Sequence, residues 1–388
     1  MPTTNGTSTG ATPLPPTSPP DPSADRLAWI ALASLPRLGP RRIAALLSRF
    51  ETPAGILAAS RDALRDIDGI AAGLADEIRG VREADALALI ARADAAGQVL
   101  LVPSDPAFPP LLRSIPDPPP LLYARGDLTW LAHPAVAIIG SRGHSRYGEE
   151  VAAALAREVV GAGAIVVSGM ARGLDAIAHR AALDAGGGTI GVLGAGADIV
   201  YPAQNRLLYD RVVEGGLLLT ESAPGEPPIR GSFPRRNRII SGLAQWLVVV
   251  EAAEASGTLI TVGTALEQGR EVLAVPGPIT SVTSRGTNRL LRDGAVPILA
   301  PEDLASVLGA KRAGGSAVPG PVPAPCTLSA EEARVLGALS LEAMHVDAVT
   351  MSAGLPTGVT LGVLLGLELG GLVEQLSGGH YRRRLQWG

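Results

Sequence analysis

Cysteine and lysine are almost missing from this sequence: Cys326 and Lys311 are the only ones among 388 residues. A single cysteine excludes an internal disulfide framework and a multi-thiolate metal site. With one lysine, nearly all positive charge is arginine, which forks onto phosphate and stacks on bases better than lysine does. A GC-rich coding bias is the plainer account of that preference, given the excess of Ala, Gly, Leu and Pro. No apolar run approaches the ~20 residues that a membrane span requires. The five histidines (His133, His144, His179, His345 and His380) lack metal-ligand spacing, so no metal site is expected. Nor does a GxGxxG follow the first predicted strand, which argues against a dinucleotide dehydrogenase. Excess positive charge is absent too. The formal net charge of −4 excludes a uniformly basic coat, so nucleic-acid binding would need a local patch.

What is present reads as a multi-domain α/β protein. Hydrophobic residues make up 46% and charged residues 18%, and the length exceeds one ordinary core. Residues 1–24 are rich in Thr, Pro, Ser and Gly, with neither the basic start nor the apolar centre of a secretory signal, and are expected to form a disordered leader. A cytoplasmic location is expected. Residues 25–100 carry helical periodicity, with two hydrophobic-Gly-hydrophobic turns at Leu38-Gly39-Pro40 and Ile67-Asp68-Gly69-Ile70. They suggest a helix-hairpin-helix (SAM-like) domain. Two readings stay open: a grip on DNA backbone by amides at helix starts, or a helical bundle whose glycines only make turns.

Over 101–310, short apolar strands are expected near 136–139, 164–167, 189–193, 217–220, 246–250, 272–275 and 296–299, with helices between them. That alternation implies a Rossmann-like parallel sheet covered on both faces, with ligands at the carboxyl ends of its strands. Residues 311–325 read as a flexible linker. Residues 326–388 contain a capping box at Ser329 and Glu332, two further helices and a terminal hairpin signal, together a winged helix. Its third helix, 357–369, has no basic residue, which favours an accessory or protein-contacting role over DNA reading. Arg382, Arg383 and Arg384 after the wing would be its backbone contacts if it had any.

The expected strand ends gather the informative residues. The first is followed by Gly140-Ser141-Arg142, the second by Ser168-Gly169-Met170-Ala171-Arg172-Gly173. Glycine lets a backbone approach closely, while serine and arginine supply a hydroxyl and a phosphate clamp. Arg230, Arg235, Arg236 and Arg238 then fall within nine residues, beside Phe233 and Asn237, and no acid lies between Glu226 and Glu251. Arginines with an aromatic neighbour suit a single strand, which needs charge neutralisation and a stacking face together. Ser256-Gly257-Thr258 opens a further helix, presenting amides and hydroxyls to an anion. Several such loops in a rim suit an extended phosphate backbone. The expected DNA-binding set is therefore Gly140, Ser141, Arg142, Ser168, Gly169, Met170, Arg172, Phe233, Arg235, Arg236, Asn237, Arg238, Ser256, Gly257 and Thr258. Arg142, Arg235, Arg236 and Arg238 are expected on phosphates and Phe233 near a base.

Taken in order, the blocks Gly140-Ser141-Arg142, Ser168-Gly169-Met170-Ala171-Arg172-Gly173-Leu174-Asp175, Phe233-Pro234-Arg235-Arg236-Asn237-Arg238, Ser256-Gly257-Thr258 and Pro276-Gly277 resemble the bacterial DNA-processing protein A (DprA/Smf) family. The resemblance covers 102–308. It implies an extended Rossmann domain, single-stranded DNA binding in a basic pocket and a homodimer. It further implies loading of RecA recombinase onto DNA covered by single-strand-binding protein during natural transformation, with no catalytic residue and no cofactor. The main rival is a nucleotide hydrolase of the phosphoribohydrolase type, with Ser256-Gly257-Thr258 and Glu267 as its loop and acid. There, Asp175 and His179, four apart on one helix face, would be the acid–base pair. Packing and capping of that helix explain the two as well, and four arginines in nine residues have no use in a mononucleotide site.

Overall fold

The computed structural model describes residues 22–309, 328–370 and 372–384; the linker expected at 311–325 and most of the leader lie outside them. The first helix, Pro22–Ala33, starts inside the expected leader. The described residues divide into two compact units, one reaching to 108 and including 117–122, the other comprising 109–116 and the described residues from 123 onward.

The first unit is helical and ends in a short strand, β1 (Val99–Leu101). Its core joins Leu38, Leu46, Ile56, Leu64, Leu74 and Ile78. Thr52 and Ser60 cap the helices Pro53–Ala58 and Arg61–Arg65 through the amides of Gly55 and Ala63. The helices that follow the two hairpin turns, Pro40–Phe50 and Ala72–Gly80, begin at Gly39 and Ala71 with no capping side chain and no acid in the first turn.

The second unit is built on eight strands: β2 (Leu122–Gly126), β3 (Ala135–Ile139), β4 (Ile165–Ser168), β5 (Thr189–Val192), β6 (Leu217–Thr220), β7 (Trp246–Val249), β8 (Glu271–Ala274) and β9 (Val296–Pro297). Their order is β2-β6-β5-β4-β3-β7-β8-β9. The seven expected strands all form, with ends shifted by one or two residues. All pairings but one are parallel. β2 runs antiparallel to β6, pairing Tyr123 with Thr220 and Gly126 with Leu217. β3 to β8 are buried along nearly their whole length, as continuous apolar strands between two helical layers must be.

From β3 the chain steps outward through β4 and β5 to β6, then returns to the other side of β3 to form β7 and β8. Right-handed crossovers in opposite directions put the connecting helices on opposite faces. The helices Arg146–Gly161, Leu174–Asp184 and Arg206–Gly215 accordingly pack together, and Ser232–Leu243 packs with Thr258–Glu267. The loops after β3 and β7 diverge, so a crevice opens between them at the carboxyl edge. That is the topological switch point where open α/β sheets take ligands.

The C-terminal segment of this unit has the winged-helix pattern. Ser329 and Glu332 form the expected capping box, each side chain accepting the other's amide. The helices Ala330–Ala338, Val346–Ala353 and Thr357–Leu369 precede β11 (Val373–Leu376) and β12 (His380–Arg383), which pair antiparallel, and β10 (Met344–His345) adds to β12. Leu361, Leu365 and Leu369 are exposed on the third helix. Arg382 does not stand free: its guanidinium lies 2.5 Å from Glu374 and 3.4 Å from Glu150. Among the described residues no single helix is long and apolar enough to cross a membrane.

Candidate nucleic-acid interface

Four loops meet at the switch point, and each is held by contacts that follow from its sequence. After β3, the carbonyl of Gly140 accepts from the Thr258 hydroxyl at 3.3 Å. A Cβ at Gly140 would lie 2.4 Å from a methyl of Leu174 and 3.2 Å from Glu251 O, so glycine suits the close approach of this loop to the start of Leu174–Asp184. Ser141 is used locally: its hydroxyl accepts from the Gly143 amide at 3.1 Å and its carbonyl from the Leu174 amide at 3.3 Å. Arg142 stands exposed beyond them. Ser145 caps Arg146–Gly161 through the Gly148 amide. It also donates its own amide and hydroxyl to the buried carboxylate of Glu251, at 2.9 and 2.5 Å. Thr283, from the loop after β8, donates to the same carboxylate at 3.1 Å. Glu251 therefore sits at the start of Arg146–Gly161, where a negative charge is favourable, and that helix end is already occupied by protein.

The loop after β4 is turned inward at its start. The Ser168 hydroxyl donates to Ile138 O at 2.6 Å and is fully buried. Gly169 packs against Arg236, whose Nη1 would be 2.1 Å from a Cβ there. Met170 is buried with φ +55°, a left-handed conformation uncommon outside glycine. Arg172 is exposed. Gly173, with φ +83°, begins Leu174–Asp184 without a capping side chain.

The arginine cluster divides in two. Arg235 is exposed on the first turns of Ser232–Leu243. Arg236 is only 7% exposed and donates from Nη1 to Val192 O at 2.6 Å. Burial lowers its pKa, and the nearby Asp175 carboxylate counteracts that; Asp175 in turn is pushed up by burial while Arg236 pulls it down. Arg238 is equally buried and pairs with Glu221 at 2.6 Å. Arg236 and Arg238 are thus built into the protein, against the expectation that all four would face phosphates. Arg236 still lines both depressions of the site, together with Arg142, Ala171 and Phe233.

Phe233 is the centre of this rim. The Arg142 guanidinium lies 5.9 Å from its ring centre, and the Tyr201 ring is 5.7 Å away at a tilt of 40°. Tyr201 is half exposed. Its carbonyl accepts from the buried Tyr209 hydroxyl at 2.9 Å, whose pKa burial raises to about 12. Neither tyrosine was in the expected set, and Tyr201-Pro202, five residues after the glycines Gly194 and Gly196 that follow β5, was the signal available. On the other side of the crevice, Thr258–Glu267 begins at Gly257 with no capping side chain and no acid in its first turn. The Ser256 hydroxyl holds the Thr258 amide at 3.2 Å. Asn237, Ser256, Gly257 and Thr258 line the wider depression with Gly140, Ser141 and Arg142.

Only one member of the proposed acid–base pair reaches this crevice: Asp175 lines its wider depression, and His179 does not. His179 is fully buried, with Nδ1 2.7 Å from the Thr189 hydroxyl on β5. Because that hydroxyl donates to Val166 O, His179 Nδ1 must carry the proton. Burial, aided by Arg236, lowers its pKa to about 3. Asp175 instead accepts from the Ala171 amide at 3.4 Å. Among the described residues, no group of three or more His, Cys, Asp or Glu could hold a metal ion.

Comparison with known proteins agrees with this construction. Residues 99–309 match the model of DNA recombination-mediator protein A. The chain belongs to the DprA/Smf family. Residues 319–379 match the DprA winged helix domain and 30–80 a SAM-like helix-hairpin-helix tandem. The family member Smf of Escherichia coli is 39% identical over 73% of this chain and 77% of its own. The structure of DNA processing protein A from Streptococcus pneumoniae superposes with a TM-score of 0.63 and 31% identity, over 73% of this chain and 96% of that one. A structure of the Helicobacter pylori member, concerned with that protein's single-stranded DNA binding mode, gives a TM-score of 0.50 and 32% identity, over 54% of this chain and 95% of that one.

Proposed function

We propose that this protein binds single-stranded DNA along the carboxyl edge of its sheet, and that it does so without catalysing a reaction on it. The observation that carries the reading is the crevice in which Arg142 and Phe233, with Tyr201 beside Phe233, meet Ser256, Gly257 and Thr258 at the start of Thr258–Glu267. It combines a stacking face, which every base can use, with amides and cations for phosphate. The exposed cations Arg142, Arg172 and Arg235 take phosphates, Phe233 and Tyr201 take a base, and Arg236 and Arg238 hold the rim. The single-strand binding of the Helicobacter pylori relative supports the same reading.

The biological role proposed is that of a cytoplasmic mediator. As a homodimer it protects incoming single strands and loads RecA onto DNA covered by single-strand-binding protein during natural transformation.

Fluorescence anisotropy with oligo-dT and a matched duplex, across salt concentrations, tests the binding. Salt-sensitive preference for the single strand is expected, with a log–log slope of about −2 if three phosphates are neutralised at ~0.7 each. Absence of binding at low salt would overturn the reading and redirect attention to mononucleotide hydrolysis. For the loading step, RecA assembly on single strands coated with single-strand-binding protein should accelerate when the protein is added.

A further inference from the structure

The segment Gly169–Gly173 is held in a conformation that its own sequence does not favour. Met170 is one of two non-glycine residues with positive φ among those described, and its side chain is packed in a cluster with Leu193, Leu208 and Tyr209. A buried side chain holds this turn from beneath. Asn205 is 6% exposed, and its Nδ2 donates to Met170 O at 3.0 Å and to Ala171 O at 3.3 Å. The bonds cross between loops, because Asn205 precedes Arg206–Gly215 in the connection after β5.

We infer that Asn205 is a positioning residue for the nucleic-acid site: it holds Met170 in the left-handed conformation and turns two carbonyls away from the pocket. This inference rests on the single-strand reading above. A trans peptide sets its N–H opposite to its C=O. Fixing Ala171 O on Asn205 therefore aims the Arg172 amide the other way, away from Asn205. Fixing Met170 O aims the Ala171 amide to the opposite side, where Asp175 accepts it. A strand of phosphates then meets Arg172 and an amide rather than two carbonyl dipoles. Positive φ is disfavoured for an L-residue and persists only where neighbours over-determine it. Here two hydrogen bonds from one buried amide do so.

Asparagine is specifically required, because the two carbonyls need two donor hydrogens from one small planar group. An aspartate in its place would match its shape but offer no donor when ionised and only one when protonated. In the full chain, Asn205→Asp should therefore weaken oligo-dT binding by roughly tenfold or more, the usual worth of one or two hydrogen bonds. Asn205→Ala, which adds no charge, should weaken it comparably and keep the wild-type log–log salt slope, since no cation is removed. Hydrogen exchange of the amides in 169–173 should quicken while the amides of β3 to β5 keep their protection, which a merely destabilising change would not produce. Met170→Gly, which makes positive φ costless, should recover part of the lost affinity in an Asn205→Ala background.

Wild-type affinity in Asn205→Asp, or unchanged exchange in 169–173, would overturn the inference while leaving the single-strand reading intact. So would failure of the glycine to recover affinity in a double variant whose far-UV spectrum shows it folded. If the wild type itself ignores oligo-dT, the reading of the site fails instead, and the positioning role falls with it whatever the exchange shows.

Discussion

The Arg142 guanidinium lies over the Phe233 ring, 5.9 Å from its centre, joining the loop after β3 to the helix Ser232–Leu243. At that distance the cation is attracted to the ring face, so charge and stacking surface are assembled before any ligand arrives. The two side chains should nonetheless be separable by experiment. Arg142→Ala is expected to lower oligo-dT affinity and reduce the magnitude of the salt slope by about 0.7, the share of one phosphate. Phe233→Ala should cost about 1–3 kcal/mol of binding with the slope unchanged. Anisotropy titrations at four or more salt concentrations decide it, and equal slopes in both variants would remove Arg142 from the phosphate contacts.

Neighbouring arginines should behave oppositely. Arg236→Ala leaves the buried Val192 O without its donor and removes the positive charge that offsets the burial of Asp175, and an unsatisfied buried group costs about 1–3 kcal/mol. Urea unfolding should show that loss before any binding assay does. Arg235 is exposed, so Arg235→Ala should change stability by no more than about 0.5 kcal/mol while weakening single-strand binding. A stable Arg236 variant with impaired binding would return Arg236 to the phosphates.

Acid should destabilise the fold through His179. Its folded pKa is lowered to about 3, against about 6.5 when unfolded. Above pH 6.5 neither state takes the proton, and the residue contributes no pH dependence. Between 6.5 and 3 the unfolded chain binds a proton that the folded one refuses, so stability falls as pH drops, by at most about 1.4 kcal/mol per unit from this residue. His179→Gln keeps a donor for Thr189 and should flatten the profile between pH 7 and 5. Asp175, whose raised pKa acts in the opposite sense, is common to both proteins, so their difference isolates the imidazole. Parallel profiles would show that His179 titrates freely.

The ion pairs of Arg382 carry a fourth prediction. Arg382→Glu places a third carboxylate beside Glu150 and Glu374 and should lower stability. Glu150→Arg in the same chain should recover part of the loss. A double-mutant cycle of urea midpoints reads the coupling, and strict additivity would show that the contact contributes nothing.

Much of this fold was legible because parallel strands buried on both faces are written as continuous apolar runs. The glycine-rich turns after β3 and β4 and the Ser256-Gly257-Thr258 start likewise appear where their spacing put them. The direction of β2 was not legible, since its antiparallel pairing is decided by β6, far along the chain. The fate of the arginines was only partly hidden. Arg236 lies four residues before Ile240 and seven before Leu243, both buried, so helical periodicity already assigned it to the inward face. What concealed this was the run itself, because clustered charge suggests solvent. Asn205, Tyr201 and Glu251 act through partners distant in sequence, and nothing local to them names those partners.

The switch point between β3 and β7 also has a consequence for the shape of the ligand. A crevice at the edge of an open sheet is a ledge rather than a tunnel, so a polymer can be laid on it sideways and need not be threaded. A closed circle of single-stranded DNA should then compete as well as a linear strand of the same length, because the site has no use for an end.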